Sequence, residues 1–393
     1  MERVAILSAT RTPIGKFLGS YADLSAAELG EAATRAALER AKIAPAEVDE
    51  LIYGCARQAG GGPNMARQVA HRAGLPNERP AFTVNQACGS GLQSILIGAE
   101  RIRHGRARVV LAGGSENMTR VPYLLERARL GYRLGHAEVV DGMYRDGFID
   151  PLSGLVMGET AEKLADLYRI PRREQDEYAL MSQQRAAAAA REGRFASELT
   201  PVPVKGRKGE TKAVTADEHP RPETTLEDLA KLPAVFRKDG SVSAGNSSGI
   251  TDGAASLVLA SESAARERGA TPLAWVGESE VIGVDPSIMG IGPVPAVRAL
   301  TARTKRVLAD YERIELNEAF AAQVLACDRE LRLDRSKLNV NGGAIALGHP
   351  IGCTGARIVT TLVHEMIRCG AALGLATLCV SGGLGLALEI ERS

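Results

Sequence analysis

Three stretches late in the chain repeat the pattern of three stretches early in it. "ERIELNEAF" (312–320) matches "DELIYGCAR" (49–57) in apolar pattern. "LNVNGGAIALGHPIGCTGARIV" (338–359) matches "FTVNQACGSGLQSILIGAERI" (82–102), each reading as strand, Gly-rich turn and helix. "LATLCVSGGLG" (375–385) matches "RVVLAGGSEN" (108–117). Such a duplication restricts the chain to two related halves packed with pseudo-symmetry. Corresponding turns then lie near one another. The turns around 88, 349 and 379 are expected to converge on one cleft.

Alternating strands and helices give the halves their class. Strands are expected at 4–9, 50–56, 81–86 and 107–117, the last running into a Gly-rich turn. Helices are expected at 26–40, from Asn64 to Gly74, and from Gly91 to Gly105. This alternation implies parallel pairing in an α/β sheet. The 42 glycines with only 4% aromatics favour close helix–strand approach through Ala, Gly and Val. From 118 to 245 the character changes to charged, Arg- and Pro-rich sequence with one clear helix at 173–193. It reads as a long excursion over the body, of the kind that forms lids or binding loops. Alternation resumes at 253–269.

The 48 Lys and Arg nearly cancel the 47 Asp and Glu. A net charge of +1 excludes a field that would make nucleic acid or an anionic membrane the main partner. The N-terminus, "MERVAILSATRTPIG", reads directly as a first strand, without a signal peptide or membrane span. The six cysteines show no CxxC pair and no metal-ligand spacing. Cys55, Cys327, Cys353 and Cys369 are expected to be reduced, mostly buried thiols of a cytosolic protein.

Cys88 and Cys379 differ from those four. Cys88 stands among turn residues before a helix, where N-terminal amides lower a thiol pKa and make it nucleophilic. The bland alternative is a structural cysteine. His349, before a proline in "GGAIALGHPIG", suits a general base with a pKa near neutrality; a turn histidine bonded to a carbonyl is the alternative. Cys379 precedes a glycine turn whose amides can form an anion nest. Asn317 and Glu318 follow an apolar strand, where α/β active-site groups gather, although Asn317 could equally cap a helix. The other histidines (His71, His104, His136, His219 and His364) are read as structural.

Taken together, these segments resemble the thiolases over essentially the whole length. "NQACGSGLQS" is similar to the family's nucleophile motif, "NEAFAAQ" to its Asn motif, "NGGAIALGHPIGCTGAR" to its His motif and "CVSGGLG" to its second-cysteine motif. "RTPIGKFLGS" and "SAGNSSGITDGAAS" are also thiolase-like. The resemblance implies two βαβαβαββ halves in a five-layer αβαβα sandwich. The halves would be 1–117 with 246–269, and 270–393; 118–245 would be an inserted coenzyme A-binding loop domain. It implies reversible Claisen condensation of acetyl-CoA with acyl-CoA, or thiolysis of 3-ketoacyl-CoA, through an acyl-cysteine. Cys88 would carry the acyl group, His349 take its proton, Cys379 act as second acid/base, and Asn317 help stabilise the enolate. The backbone amides of Cys88 and Ser381 would bind the oxyanion.

The resemblance also implies coenzyme A contacts from Arg221 and Ser248. It implies a pantetheine and acyl tunnel lined by Phe236, Ala244, Met157, Met289, Ala319 and Phe320. The substrates would be acetyl-CoA, acyl-CoA and coenzyme A, with no cofactor or metal, and the assembly a homodimer or homotetramer in the cytoplasm, serving fatty acid metabolism. Three positions depart from the family pattern, one of them Asp228, where the coenzyme A-contacting helix often has serine. Ser381 stands where many thiolases have glycine. Val156 stands where acetoacetyl-CoA-dedicated relatives have His, which implies a more apolar acyl pocket. A ketoacyl synthase-like enzyme pairs its cysteine with two histidines, unlike Cys379 here. A non-catalytic acyl-CoA-binding protein would not need all four motif residues.

Overall fold

A computed structural model of the chain describes residues 2–206 and 209–392. The first half opens with β1 (Val4–Arg11), β2 (Gly15–Lys16) and α1 (Ala26–Ala41). Ser25 starts α1 with a reciprocal cap: its hydroxyl accepts from Glu28 N, and the Glu28 carboxylate accepts from Ser25 N. Next come β3 (Glu50–Gly54), α2 (Met65–Arg72), β4 (Ala81–Val84), α3 (Ser90–Arg103) and β5 (Val109–Asn117). The excursion holds β6 (Tyr123–Leu124), β7 (Val140–Asp141), α4 (Met157–Leu167), α5 (Arg172–Arg191), β8 (Val202–Lys205), β9 (Thr211–Val214) and α6 (Leu226–Lys231). The chain returns through β10 (Thr251–Ser261) and α7 (Glu262–Glu267). The second half is β11 (Ala274–Gly283), α8 (Pro293–Thr304), β12 (Arg313–Leu316), α9 (Ala321–Leu331), α10 (Ala344–Leu347), α11 (Ile351–Cys369), β13 (Leu373–Val380) and β14 (Leu384–Glu391).

The two halves share one ten-stranded sheet. Its seam is the antiparallel pairing of Val4–Ile6 in β1 with Ala274–Val276 in β11. Outward from the seam run β10, β5, β3 and β4 on one side, and β14, β13 and β12 on the other. Leu338, bridged to Ile314, takes the place of β4 in the second half. The topology therefore repeats as the sequence repeats. Pairing is parallel only for β3–β4, β3–β5 and β12–β13, and antiparallel elsewhere. The sheet is thus mixed rather than parallel throughout, because β10 and β14 each return beside their half's first strand.

The sheet folds around α3 and α11. One apolar cluster joins Ile52, Val110 and Leu257 of the first half, Leu92 and Ile95 of α3, Ile358 and Leu362 of α11, and Leu378 and Leu388 of the second half. Helices α1 and α2 cover the outer face of the first half. Helices α8 and α9 cover the outer face of the second, together with α4 and α5. This makes five layers. Helix α11 is buried almost all round, as a core helix must be. Its Ile358, Val359, Leu362, Val363 and Met366 are fully buried, each worth about 1.5–3 kcal/mol relative to exposure.

Glycines set how closely the inner helices approach. A Cβ on Gly91 would lie 2.8 Å from Ala356 N, and one on Gly355 would collide with Leu92 N. The backbones of α3 and α11 therefore touch, which brings the turns before them together. Gly113 and Gly114 correct the expected Gly-rich turn: both lie inside β5. Side chains there would strike Ala255 O and Gly352 O.

The excursion is more ordered than its composition suggests. Its α4 was not anticipated, and the stretch around 201–214 forms a β8–β9 hairpin; Arg207 and Lys208 lie outside the described residues. Met157, Leu164 and Tyr178 join the second half's core, so the excursion is anchored to that half. Among the four cysteines expected to be mostly buried, Cys369 is exposed, because it ends α11 at the surface. No helix of the described residues is long and apolar enough to cross a membrane.

Candidate active site

Cys88 sits on a tight elbow between β4 and α3. Ala87 has φ of +44°, a left-handed conformation that costs a non-glycine residue about 1 kcal/mol. Local hydrogen bonds pin it: Asn85 Oδ1 accepts from Ala87 N, while Ser90 Oγ accepts from Gln86 N and donates to Ala87 O. The amides of Ser381 and of Cys88 itself point at the sulfur and favour the thiolate, as does Arg57. Burial outweighs them, so the thiol pKa is raised. This corrects the expectation of a thiol acidified by its helix, which starts only at Ser90.

His349 follows Gly348, whose φ of +102° suits only glycine. Thr354 Oγ1 donates to Pro350 O at 3.0 Å and lies 2.6 Å from His349 Nδ1. With that hydroxyl proton committed, Nδ1 carries the ring hydrogen by assignment from the network. Buried Nε2 has no partner among the described residues and keeps its lone pair. Burial, then Arg357 and Arg57, lower the pKa to about 3. The ring is held neutral, not poised near neutrality as the sequence alone suggests.

Cys379 is the last residue but one of β13 and is buried; burial and the neighbouring Cys88 raise its pKa well above the usual range. Positive φ falls on Gly382 and Gly383, not on Ser381, so serine replaces glycine there without backbone strain. Asn317 follows β12 and caps no helix, for α9 begins after Phe320 without a side-chain cap. Both Asn317 side-chain polar atoms are buried and find no hydrogen-bond partner among the described residues.

Cys88, His349, Cys379 and Ser381 line one cavity of about 520 Å³. The same cavity is lined by Val156, Met157, Arg221, Phe236, Ala244, Ser248, Met289, Ala319 and Phe320. Asn317 and Glu318 are the candidate residues outside this lining. Arg221 is exposed at its edge and its guanidinium makes no hydrogen bond among the described residues. Phe236 and Phe320 meet edge-on at 6.2 Å, and a Cβ on Gly158 would collide with the Phe236 ring. Ser248 N donates to Ala319 O at 3.0 Å, tying the two sides of that wall.

Several lining residues escaped the sequence reading: Lys16, Phe17, Arg57, Tyr144, Phe148, His219 and Ile351. Arg57 could have been found by its place at the end of β3, where α/β sites gather. His219, read as structural, is in the wall with Nδ1 2.8 Å from Ala346 O. Two buried carboxylates brace the turns. Glu116 accepts from Ala56 N, Arg57 N and Gly352 N at 2.8–3.0 Å. Glu318 accepts from Tyr178 OH, Ser182 Oγ, Asn339 Nδ2 and Ile345 N at 2.7–3.1 Å.

Family models match almost the whole chain: "Thiolase, N-terminal domain" over residues 4–263 and "Thiolase, C-terminal domain" over 270–392. An acetyl-CoA acetyltransferase of Pseudomonas aeruginosa is 51% identical over 392 residues, 100% of each chain. The crystal structure of the Bacillus anthracis acetyl-CoA acetyltransferase superposes with a TM-score of 0.97 at 46% identity, covering 100% of this chain and 99% of that one. Human mitochondrial 3-ketoacyl-CoA thiolase in complex with CoA superposes with a TM-score of 0.96 at 45% identity, covering 100% and 98%.

Proposed function

The chain belongs to the thiolase family, and from that premise we propose how its residues divide the reaction. It is an acyltransferase that joins acyl-CoA thioesters by reversible Claisen condensation and cleaves 3-ketoacyl-CoA by thiolysis, through a cysteine acyl-enzyme. His349 Nε2 takes the Cys88 proton as the sulfur attacks the thioester carbon. The bond to coenzyme A sulfur breaks, and the proton passes to that leaving thiolate. The amides of Cys88 and Ser381 hold the tetrahedral oxygen. In the cleavage direction Cys88 attacks the 3-keto carbon, the Cα–Cβ bond breaks, and Cys379 donates its proton to the acetyl-CoA enolate. A thiol kept protonated by burial suits that donation. Condensation runs the same steps backwards. Asn317, with His349, stabilises the enolate oxygen.

The observation that carries this reading is the convergence of Cys88, His349 and Cys379, from three turns of two halves, on one cavity. Arg221 holds the phosphate end of coenzyme A and Ser248 its pantetheine arm. The apolar wall from Met157, Phe236, Ala244, Met289, Ala319 and Phe320, with Val156, takes pantetheine and acyl chain. Thioester exchange conserves bond energy, so the residues above suffice without ATP, metal or redox cofactor. The setting we favour is fatty acid metabolism in the cytoplasm. The exposed apolar residues Tyr123, Leu125, Leu130, Tyr132 and Leu134 support self-association, which we read as a homotetramer; sedimentation equilibrium decides between that and a dimer. Incubation with acetyl-CoA and intact-mass analysis tests the chemistry: one acetyl group is gained on Cys88, and a protein that gains none is not acting this way.

A further inference from the structure

We propose that His219, carried by the excursion rather than by either half, is a positioning residue that holds the His349 turn in its working place. The idea rests on His349 being the base that serves Cys88. Three observations support it. First, His219 Nδ1 is 2.8 Å from Ala346 O, three residues before His349, so Nδ1–H donates to that carbonyl. Second, the ring lies tight against Gly249, where any Cβ would collide with Nε2. Gly249 O in turn accepts the His349 backbone N–H at 3.0 Å. The imidazole is therefore wedged between the two pieces of backbone that flank the His349 turn. Third, Gln183 makes a parallel tie. Its Oε1 accepts from Arg221 N at 2.8 Å and its Nε2 donates to Ile345 O at 3.4 Å.

The turn needs such a brace. Helix α10 is a single turn of four residues, too short to be stable alone. Gly348, which follows it, sits at a φ of +102°, and a Cβ there would collide with Thr251. Without His219, Ala346 O loses its partner and Gly249 faces a void, so the backbone carrying His349 is free to shift. A displacement near 1 Å at a catalytic group can cost about 100-fold in rate.

The experiment compares His219→Ala and His219→Asn with wild type. It measures the rapid-quench rate of Cys88 acetylation, and kcat and KM for acetoacetyl-CoA thiolysis. Asn keeps an N–H donor near the place of Nδ1. In His219→Ala the acetylation rate and kcat should fall about 10- to 100-fold, with KM changing less than about 3-fold. His219→Asn should recover most of that loss. If His219→Ala does not fold, His219→Phe fills the same space without a donor, and it too should lose kcat. Wild-type kcat in the Ala or Phe variant overturns the proposal. So does a change in KM alone, which would make His219 only a ligand contact, or an Asn variant no better than Ala. Failure of the wild type to acetylate would instead remove the reading of His349 and Cys88 on which the proposal stands.

Discussion

At Cys88 two opposed effects meet. Arg57 and two amides favour the thiolate, while burial favours the thiol, and burial prevails. The thiol and the imidazole that share the cavity therefore both rest neutral, so the proposed transfer from Cys88 to His349 belongs to the step of attack. The two cysteines differ in what they touch. Two backbone amides, of Ser381 and of Cys88 itself, face the Cys88 sulfur, whereas Cys379 is faced by its own amide alone among the described residues. Cys88→Ala should abolish acetylation by acetyl-CoA. Cys379→Ala should still acetylate while thiolysis falls by about 10²–10⁴, the usual worth of a positioned acid or base. Intact mass and turnover together check this, and a Cys379→Ala protein that never acetylates would reverse the assignment. The pH response follows from His349. An ordinary imidazole loses its base form as pH falls through about 6.5; burial holds this one to about 3. Acetylation should stay level from about pH 7.5 down to about pH 5, and a drop centred near the ordinary imidazole value would contradict it. The same shift acts on stability. The unfolded chain takes up this proton first, so the stabilisation is present above the unfolded pKa of 6.5 and is lost as pH falls toward 3.

Strand β5 and helix α11 touch at the backbone through Gly114 and Gly352. Neither side of that contact is a flexible side chain, so an added methyl forces the elements apart. Gly352 N also donates to Glu116, next to the His349 turn. Gly114→Ala should cost about 1–3 kcal/mol by overpacking and lower kcat as well, read by urea unfolding and by thiolysis rate. Unchanged stability would mean the interface can relax. Helix α4 shows how an element end shapes specificity. Its first turn is fixed by Val156 N donating to Glu159 at 2.7 Å, which leaves the Val156 side chain in the cavity wall. Valine adds apolar surface and no donor, so each CH₂ of a longer acyl chain can gain about 0.8 kcal/mol until the pocket ends. We expect broad chain-length tolerance beyond four carbons, with acetoacetyl-CoA still cleaved. Val156→His should narrow the profile toward acetoacetyl-CoA. Comparing kcat/KM across 3-ketoacyl-CoA lengths decides it, and an identical profile in the variant would clear Val156 of the role.

Across the whole molecule the turns with Cys88, His349 and Cys379 come from the duplicated halves, while Arg221, Phe236 and Val156 come from the excursion. The groups of the proposed chemistry and part of the cavity wall are thus supplied by different parts of the chain. Changes at the exposed Arg221 should act on binding and spare the bond-making step. Arg221→Ala should raise KM for coenzyme A thioesters about 10-fold, as loss of a charged contact in water-exposed surroundings would, with a smaller effect on kcat. Steady-state kinetics at varied coenzyme A would exclude Arg221 from the site if KM did not move.

The chain by itself determined the repeat, the alternation within each half, and the turns that carry Cys88, His349 and Cys379. Those features depend on residues adjacent in sequence: glycine where φ is positive, a cap before a helix, an apolar run for a strand. Tertiary structure decided what adjacency cannot reach. Burial by distant segments holds two thiols and an imidazole in their neutral forms, where the turn pattern alone suggests an acidified thiol and a histidine poised to titrate. Gly113 and Gly114 became strand because α11 and β10 press on them, although alone they read as a turn. The three-residue seam between β1 and β11 merged two half-sheets, a pairing of strands roughly 270 residues apart that no local pattern announces. Nothing beside His219 in sequence distinguishes it from the other histidines read as structural; the fold sets it against Gly249 and Ala346. In each case an electrostatic environment or a close contact made the difference, and both are properties of what surrounds a residue in space.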